Sequence, residues 1–270
     1  FNNLKVNQEK FNFFNNGWKF LDEIKTTKIF YKNMNVFVNE QDKKIDINQL
    51  ENDGKILFLG GKLNKWKINF NGKISSEIKD TNNNYDYLNN LTGCLNFYEI
   101  EFNEVNISSK NSPCEDSINI VRSNGNIDSI SVNNSSSDGL DVDFSNLSIK
   151  NIFATTAYND CVDFSSGNYM LGTLILKKCT DKALSVGEKS FVKMNKIIVD
   201  YANIGLASKD SSEVSLNQAS LKNSKVCLSA YNKKKEYNGG FIYVENLECE
   251  NYHTRTNADI YSKILYKKKY

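Results

Sequence analysis

A repeat of 22 residues between Cys114 and Asn232 limits what this chain can fold into more than any other feature. Steps of 22 from the first apolar position reach only branched apolar residues: Ile118, Leu140, Val162, Leu184, Leu206 and Leu228. Two residues later, a second series is apolar except at one serine: Ile120, Val142, Phe164, Val186, Ser208 and Ala230. The positions between the two series are mostly polar: Asn119, Asp141, Asp163, Ser185, Ala207 and Ser229. This alternation indicates a strand with one buried face in every repeat.

A strand pattern that recurs at a fixed longer period is typical of a repeat architecture. One repeat is too short to bury its own apolar face, whereas stacked copies make a continuous core. The Leu-rich consensus of leucine-rich repeats is absent, and no repeat has the spacing of an amphipathic helix. The sequence therefore predicts an all-β fold, a right-handed parallel β-helix with about 22 residues per coil.

The rest of the chain is less regular and is predicted to flank the repeats. Residues 1–30 are predicted to cap the open end of the stack, as a short amphipathic helix or as a strand. Residues 31–90 are predicted to form irregular first coils and a polar surface loop at 79–90. Regular coils are expected over 91–252, followed by a C-terminal tail at 253–270.

Charge and hydropathy argue against two classes of protein. The chain has 34 Lys and Arg residues against 32 Asp and Glu residues, without the clustered basic face of a nucleic-acid binder. No run of 18 apolar residues is present, so no transmembrane helix is predicted. Residue 1 is Phe rather than Met, and no leader pattern follows it. We expect a fragment or processed chain, with any export signal and further domains elsewhere in a longer protein.

Six cysteines form three pairs in sequence: Cys94 and Cys114, Cys161 and Cys179, Cys227 and Cys249. Their separations of 20, 18 and 22 residues each correspond to about one coil. Residues one coil apart, at about 4.8 Å, lie within reach of a disulfide. We therefore expect coil-to-coil disulfides and an oxidising compartment: secreted, periplasmic or at the cell surface. Buried free thiols are the alternative, and zinc spacing of the C-x2-C kind is absent.

A column of charged residues lies two positions before the first apolar series. Steps of 22 residues give Asp116, Asp138, Asp160, Lys182, Ile204 and Val226. With Asp141, Asp143 and Asp163, five carboxylates fall on two neighbouring coils. Their mutual repulsion predicts raised pKa values unless cations such as Lys182 or Lys209 intervene. Three interpretations stay open: a Ca²⁺ site at Asp141, Asp143 and Asp163, the acid and base of a glycosidase, or a structural polar face.

Four short segments on successive coils are similar to a known family. They are Ser137-Asp-Gly-Leu-Asp141, Asn159-Asp-Cys-Val162, Lys182-Ala-Leu-Ser-Val-Gly187 and Ala207-Ser-Lys209. This order resembles the polygalacturonases, pectin-degrading β-helix hydrolases of the pectin-lyase-like superfamily. The resemblance implies catalytic roles for Asp138 and Asp160. Asn159, Lys182 and Ala207 stand where that family has an aspartate, the histidine and the arginine.

A second resemblance covers the segments 159–167, 181–190 and 205–231. The phrases Ser-Val-Gly-Glu at 185–188 and Ala-Tyr-Asn-Lys-Lys at 230–234 resemble β-helix domains that accompany CotH-type kinase domains in bacterial surface proteins. This resemblance implies a surface location and no specific activity. No kinase motif is present in the chain.

Two functions follow from these observations as hypotheses. The first is an extracytoplasmic surface or carbohydrate-binding module without a cofactor, with polysaccharide as its partner. The second is a hydrolase, lyase or epimerase of acidic glycans. In it Asp138 and Asp160 serve as acid and base, or Lys182 or Lys209 removes a proton from a uronic acid beside bound Ca²⁺. Asp141, Asp163 and Tyr231 are predicted to bind substrate, and Tyr158 and Tyr169 are further candidates to stack on sugar rings.

Overall fold

The computed structural model describes residues 17–24, 26–73 and 91–267. These residues form a β-solenoid of about nine turns, a parallel β-helix that contains no helical segment among them. None of them therefore belongs to a helix long and apolar enough to cross a membrane. The first strands are β1 (Lys19–Ile24), β2 (Thr27–Lys32), β3 (Met34–Asn39), β4 (Lys44–Gln49), β5 (Lys55–Leu59), β6 (Lys62–Asn64) and β7 (Lys67–Asn71).

The later strands carry the regular coils. They are β8 (Gly93–Tyr98), β9 (Glu101–Ser112), β10 (Asp116–Val121), β11 (Asn124–Ser135), β12 (Asp138–Asp143), β13 (Asn146–Ala157), β14 (Val162–Ser165), β15 (Asn168–Gly187), β16 (Phe191–Lys209), β17 (Glu213–Tyr231), β18 (Phe241–Glu250), β19 (Thr254–Ala258) and β20 (Lys263–Tyr266). Every pairing from β8 onward is parallel, so each coil stacks on the preceding one in the same direction.

The predicted repeat sets the register. Ile118 pairs with Leu140, Leu140 with Val162, and the series continues through Leu184 to Leu206 and Leu228. All six side chains are fully buried. They lie on the inner side of one sheet, here called face 1. It comprises β5, β8, β10, β12, β14, the C-terminal parts of β15 to β17, and β19.

A sharp bend leads each coil into face 1. One residue per coil at this bend has a positive φ, here called the bend column: Asn111, Asn134, Thr156, Lys178, Tyr201, Asn223 and Asn251. Asparagine tolerates this left-handed conformation better than other residues with a Cβ. At both ends of the column the asparagines also bond to each other, from Asn134 to Asn111 at 2.9 Å and from Asn251 to Asn223 at 3.1 Å.

Antiparallel strands cover the N-terminal end of the stack. β1 pairs with β2, and β2 pairs with β5. The expected helix is therefore wrong over Lys19–Ile24, where the covering element is a strand. The open edge of a β-stack presents unpaired backbone N–H and C=O groups, which another strand can satisfy. The remainder of the predicted cap, residues 1–16, and the predicted loop at 79–90 lie outside the described residues.

The parallel ladder continues into the stretch that was predicted as a tail. β19 pairs with the end of β17, and β20 pairs with β18. Val226 lies opposite Thr254, and Ile242 lies opposite Ile264. The stack of coils thus extends to Tyr266.

Two of the three predicted disulfides are present. Cys94 bonds to Cys114 and Cys161 to Cys179, each pair with a Cα–Cα distance of 5.4 Å. The third prediction was wrong, because Cys227 and Cys249 are free thiols. The insertion at 233–240 lengthens this coil, so that Asn223 and Asn251, one coil apart, are 28 residues apart in sequence. A spacing of 22 residues therefore no longer spans one coil here, and Cys249 pairs opposite Leu221 instead.

Candidate functional site

The predicted site residues lie together on the outer side of face 1. The parallel register places Asp116 opposite Asp138 and Asp141 opposite Asp163. Lys182 and Lys209 follow on the next two coils, so that an acidic half of the surface adjoins a basic half. We call this surface the Asp–Lys face and define it by these side chains: Asp138, Asp141, Asp143, Asp160, Asp163, Lys182 and Lys209.

Asp160 and Lys182 form a buried ion pair. The Lys182 Nζ lies 3.2 Å from Oδ1 and 3.3 Å from Oδ2 of Asp160. The Lys182 backbone N–H donates to the same Oδ1 at 2.9 Å. Lys182 also pairs with Asp181, a partner that sequence analysis missed although it directly precedes the lysine. The side chains of Asp160 and Lys182 are only 5% and 12% exposed, so solvent screens this pair weakly.

Asp138 has no cation beside it among the described residues. Its Oδ1 accepts a hydrogen bond from the Asp160 backbone N–H at 2.9 Å. Burial and the charge of Asp160 together raise the pKa of Asp138 to about 7. Burial also raises the pKa of Asp160, although the charge of Lys182 opposes that rise. The two neighbouring carboxyl groups therefore differ in their electrostatic surroundings.

The other carboxyl groups of the acidic half are also shifted. Burial raises the pKa of Asp143 to about 6. Burial and the charges of Asp116 and Asp143 raise the pKa of Asp141 well above its usual range. Asn119 donates from Nδ2 to Asp141 Oδ2 at 3.0 Å. These directions agree with the predicted repulsion within the column, and burial is the larger cause.

Lys209 reaches back across one coil to Asp163. Its Nζ lies 3.5 Å from Asp163 Oδ2, and both side chains are largely buried. The lysine crosses Gly187, where a Cβ would come within 3.2 Å of Lys209 Cε. A glycine at this position therefore leaves space for the lysine. The other oxygen of Asp163 is buried and has no hydrogen-bond partner among the described residues.

The arrangement bears on the calcium and lysine-base hypotheses. Within the described ranges, no three His, Cys, Asp or Glu side chains form a group that could hold a metal ion. The predicted ligands Asp141, Asp143 and Asp163 are included in that search. Despite burial, the charges of Asp160 and Asp181 hold the pKa of Lys182 above its usual value. A lysine general base needs a lowered pKa, so Lys182 is poorly suited to that role.

The tyrosine candidates differ in their availability. Tyr231 pairs opposite Lys209 at the edge of the face and is half-buried. Tyr169 is buried and donates its hydroxyl to the carbonyl oxygens of Val142 and Ser165, so it cannot stack on a sugar. Tyr158 is exposed beside the face, two residues before Asp160.

The insertion at 233–240 is fixed along one edge of the face. Asp210 Oδ1 accepts hydrogen bonds from the backbone N–H groups of Lys233 and Lys234, each at 2.7 Å. Glu188 pairs with the Lys234 side chain. Glu188 and Asp210 therefore position this loop, which is the structural alternative to an acid–base pair.

Comparisons of this chain with protein-family models, with curated proteins and with solved structures give no match. The parallel β-helix is thus established by the structure itself. The two family resemblances noted in the sequence have no support from these comparisons.

The acidic half predicts a stability that falls as the pH rises. An aspartate whose pKa is higher in the folded than in the unfolded state binds its proton more tightly when folded, so ionisation destabilises the fold. For Asp138 this loss develops between about pH 4 and pH 7, and Asp143 adds to it near pH 6. We expect the free energy of unfolding to fall by about 1–3 kcal/mol from pH 5 to pH 8.

Urea unfolding at pH 5, 6.5 and 8 measures this dependence. Asp138→Asn should flatten the slope and stabilise the fold at pH 8. The exposed ion pair of Asp128 and Lys150 offers a matched control, because Asp128→Asn should keep the wild-type slope. A stability that rises over this range, or an unchanged slope in Asp138→Asn, would contradict the prediction.

Proposed function

We propose that this chain is a carbohydrate-binding β-helix module that binds a polysaccharide along the Asp–Lys face. The observation that carries the proposal is the run of carboxylates and lysines over successive coils, closed at its end by Tyr231. Parallel stacking repeats similar groups about every 4.8 Å along the solenoid axis. A polymer of similar units can therefore contact several coils in the same way.

The chemistry of the face suits sugars. Carboxylate oxygens accept hydrogen bonds from hydroxyl groups, and lysine ammonium groups donate to sugar oxygens. Tyr231 offers an aromatic surface at the edge of the face for the apolar side of a sugar ring. Lys182 and Lys209 are already held by Asp160 and Asp163, so this part of the face is ordered before a ligand arrives.

Two features support a location outside the cytoplasm. Both coil-to-coil disulfides need an oxidising compartment to form and persist. The resemblance to β-helix domains of bacterial surface proteins points in the same direction. A surface module would meet polysaccharides there as its ordinary partners.

A second candidate function, glycoside hydrolysis, is favoured by one observation. The pKa of Asp138 near 7 keeps part of this group protonated at neutral pH, as a general acid requires. Asp160, paired with Lys182, would serve as the neighbouring base. Asp138 and Asp160 are also the two residues that match the polygalacturonase pattern. Fold analogy alone does not assign an activity, so this candidate depends on turnover.

Binding and turnover on a panel of neutral and acidic polysaccharides test both candidates. Isothermal titration and reducing-end assays are run with added Ca²⁺ and with chelator. The chains compared are wild type, Asp138→Asn/Asp160→Asn and the control Asp128→Asn. We expect binding to at least one polysaccharide in both buffers, an at least tenfold weaker affinity in the double variant, and no change in the control.

The outcomes separate the candidates. New reducing ends or unsaturated products that are lost in the double variant would identify an enzyme. Binding without turnover that the double variant weakens supports the module. Wild type that binds no polysaccharide would refute the proposed function, and unchanged binding in the double variant would remove the Asp–Lys face as its site.

A further inference from the structure

The bend column departs from its own rule at three successive coils. Asparagine occupies the column at 111, 134, 223 and 251, but Thr156, Lys178 and Tyr201 occupy its middle, all with positive φ. A β-branched or bulky residue in this conformation is a true outlier. Threonine and tyrosine cannot continue the amide ladder that asparagines form at both ends. The middle of the column therefore has a strained backbone that its neighbours avoid, a condition that clusters at functional sites.

These three residues line one cavity. It has a volume of about 320 Å³, and its walls are Thr156, Ala157, Tyr158, Lys178, Thr180 and Tyr201. We call it the tyrosine cleft. Tyr158 and Tyr201 are each 64% exposed, and they lie two coils apart, with Lys178 and Thr180 on the coil between them. The two rings thus stand about 10 Å apart along the solenoid axis.

The groups in the cleft define a ligand. Two exposed aromatic side chains offer surfaces for sugar rings, and Thr156 and Thr180 offer hydroxyl groups that donate and accept. Lys178 is exposed and forms no ion pair with any described residue. The acidic groups nearest in sequence have partners, since Asp181 pairs with Lys182, and Asp200 accepts from Asn223. An unpaired cation between two tyrosines selects an anionic sugar.

We propose that the tyrosine cleft binds a uronic-acid residue of a polysaccharide. The sugar stacks on Tyr158 and Tyr201, and its carboxylate pairs with Lys178. The cleft adjoins the Asp–Lys face, because Tyr158 precedes Asp160 by two residues and Thr180 precedes Lys182 by two. The inference rests on the proposed function and names the substrate class: a uronic-acid-containing glycan that crosses from the face into the cleft.

Three variants test the cleft, with an oligogalacturonide and a neutral cello-oligosaccharide of equal length as probes. Tyr158→Ala is expected to weaken oligogalacturonide binding about tenfold or more. Lys178→Asn should weaken oligogalacturonide binding by a similar factor, remove its salt dependence, and leave any binding of the neutral probe unchanged. Tyr201→Asn should weaken binding and also raise the melting temperature by about 2 °C or more, because asparagine relieves the strained conformation. Tyr261→Ala, at an exposed tyrosine near the C-terminal end, is the control.

The results distinguish the two proposals. If wild type binds the oligogalacturonide and the three cleft variants bind it equally well, the cleft inference fails and the proposed function stands. If the cleft variants lose binding while Asp138→Asn/Asp160→Asn retains it, the cleft is the site and the Asp–Lys face is not. If wild type prefers the neutral probe, the uronic-acid assignment is wrong. If it binds neither probe nor any polysaccharide of the panel, both proposals fail.

Discussion

Replacing Lys182 by methionine is expected to lower the free energy of unfolding by about 3–5 kcal/mol at pH 8, because Asp160 is left buried without its cation. The side chains of this pair are 12% and 5% exposed, so water cannot replace the lost partner. The remaining hydrogen bonds to Asp160 come from backbone groups and do not neutralise its charge. Urea unfolding of wild type and variant at 25 °C measures the difference.

The size of this loss should depend on pH and on burial. At pH 5 the loss should be smaller, because Asp160 already has a raised pKa and can take up a proton once the lysine is gone. The pair of Lys62 and Glu101 offers a surface control with side chains 49% and 51% exposed. Lys62→Met should cost about 1 kcal/mol or less. Equal losses in the two variants would show that burial of Asp160 and Lys182 contributes nothing.

Removing either disulfide is expected to cost about 3 kcal/mol, since each bond closes a loop of about 20 residues in the unfolded chain. The bonded pairs are Cys94 with Cys114 and Cys161 with Cys179, at sequence separations of 20 and 18 residues. The matched variants are Cys94→Ser/Cys114→Ser and Cys161→Ser/Cys179→Ser. A loss of this size corresponds to a melting temperature about 6–12 °C lower, which calorimetry detects.

The free thiols provide the control for this prediction. Cys227→Ser/Cys249→Ser breaks no disulfide, so its melting temperature should fall by less than that of either disulfide variant. Alkylation of the denatured, unreduced protein should modify two cysteines, Cys227 and Cys249. Six modified cysteines, or a melting temperature that reductant leaves unchanged, would contradict the two disulfides.

The sequence predicts the regular part of the fold well because one physical rule governs it. Where every coil has the same length, an apolar series such as Ile118, Leu140 and Val162 fixes the strands, the buried face and the register together. The rule fails where the coil length changes. The insertion at 233–240 moves Cys249 to a position opposite Leu221, and equal spacing in sequence no longer means proximity. At Lys19–Ile24, apolar residues suggested a helix, but pairing with the open edge of β2 decided for a strand.

The site shows the same division. The register alone brings Asp138, Asp160 and Lys182 onto neighbouring coils, and the sequence reveals this. Burial decides which lysine meets which carboxylate and why the pKa of Lys182 is raised rather than lowered. The tyrosine cleft escaped prediction because coil lengths alternate between 22 and 23 residues along the bend column. A fixed step of 22 leads from Thr156 to Lys178 but misses Tyr201.

The limited length of the Asp–Lys face has a consequence for how such a module would be used. Its charged side chains occupy four consecutive coils, from β12 to β16, which span only about 15 Å of the solenoid axis. Such a contact covers a few sugar units of a long polymer, and a single copy would hold it weakly. Many copies on one surface would act in parallel on the same polymer, and avidity would turn brief individual contacts into lasting attachment.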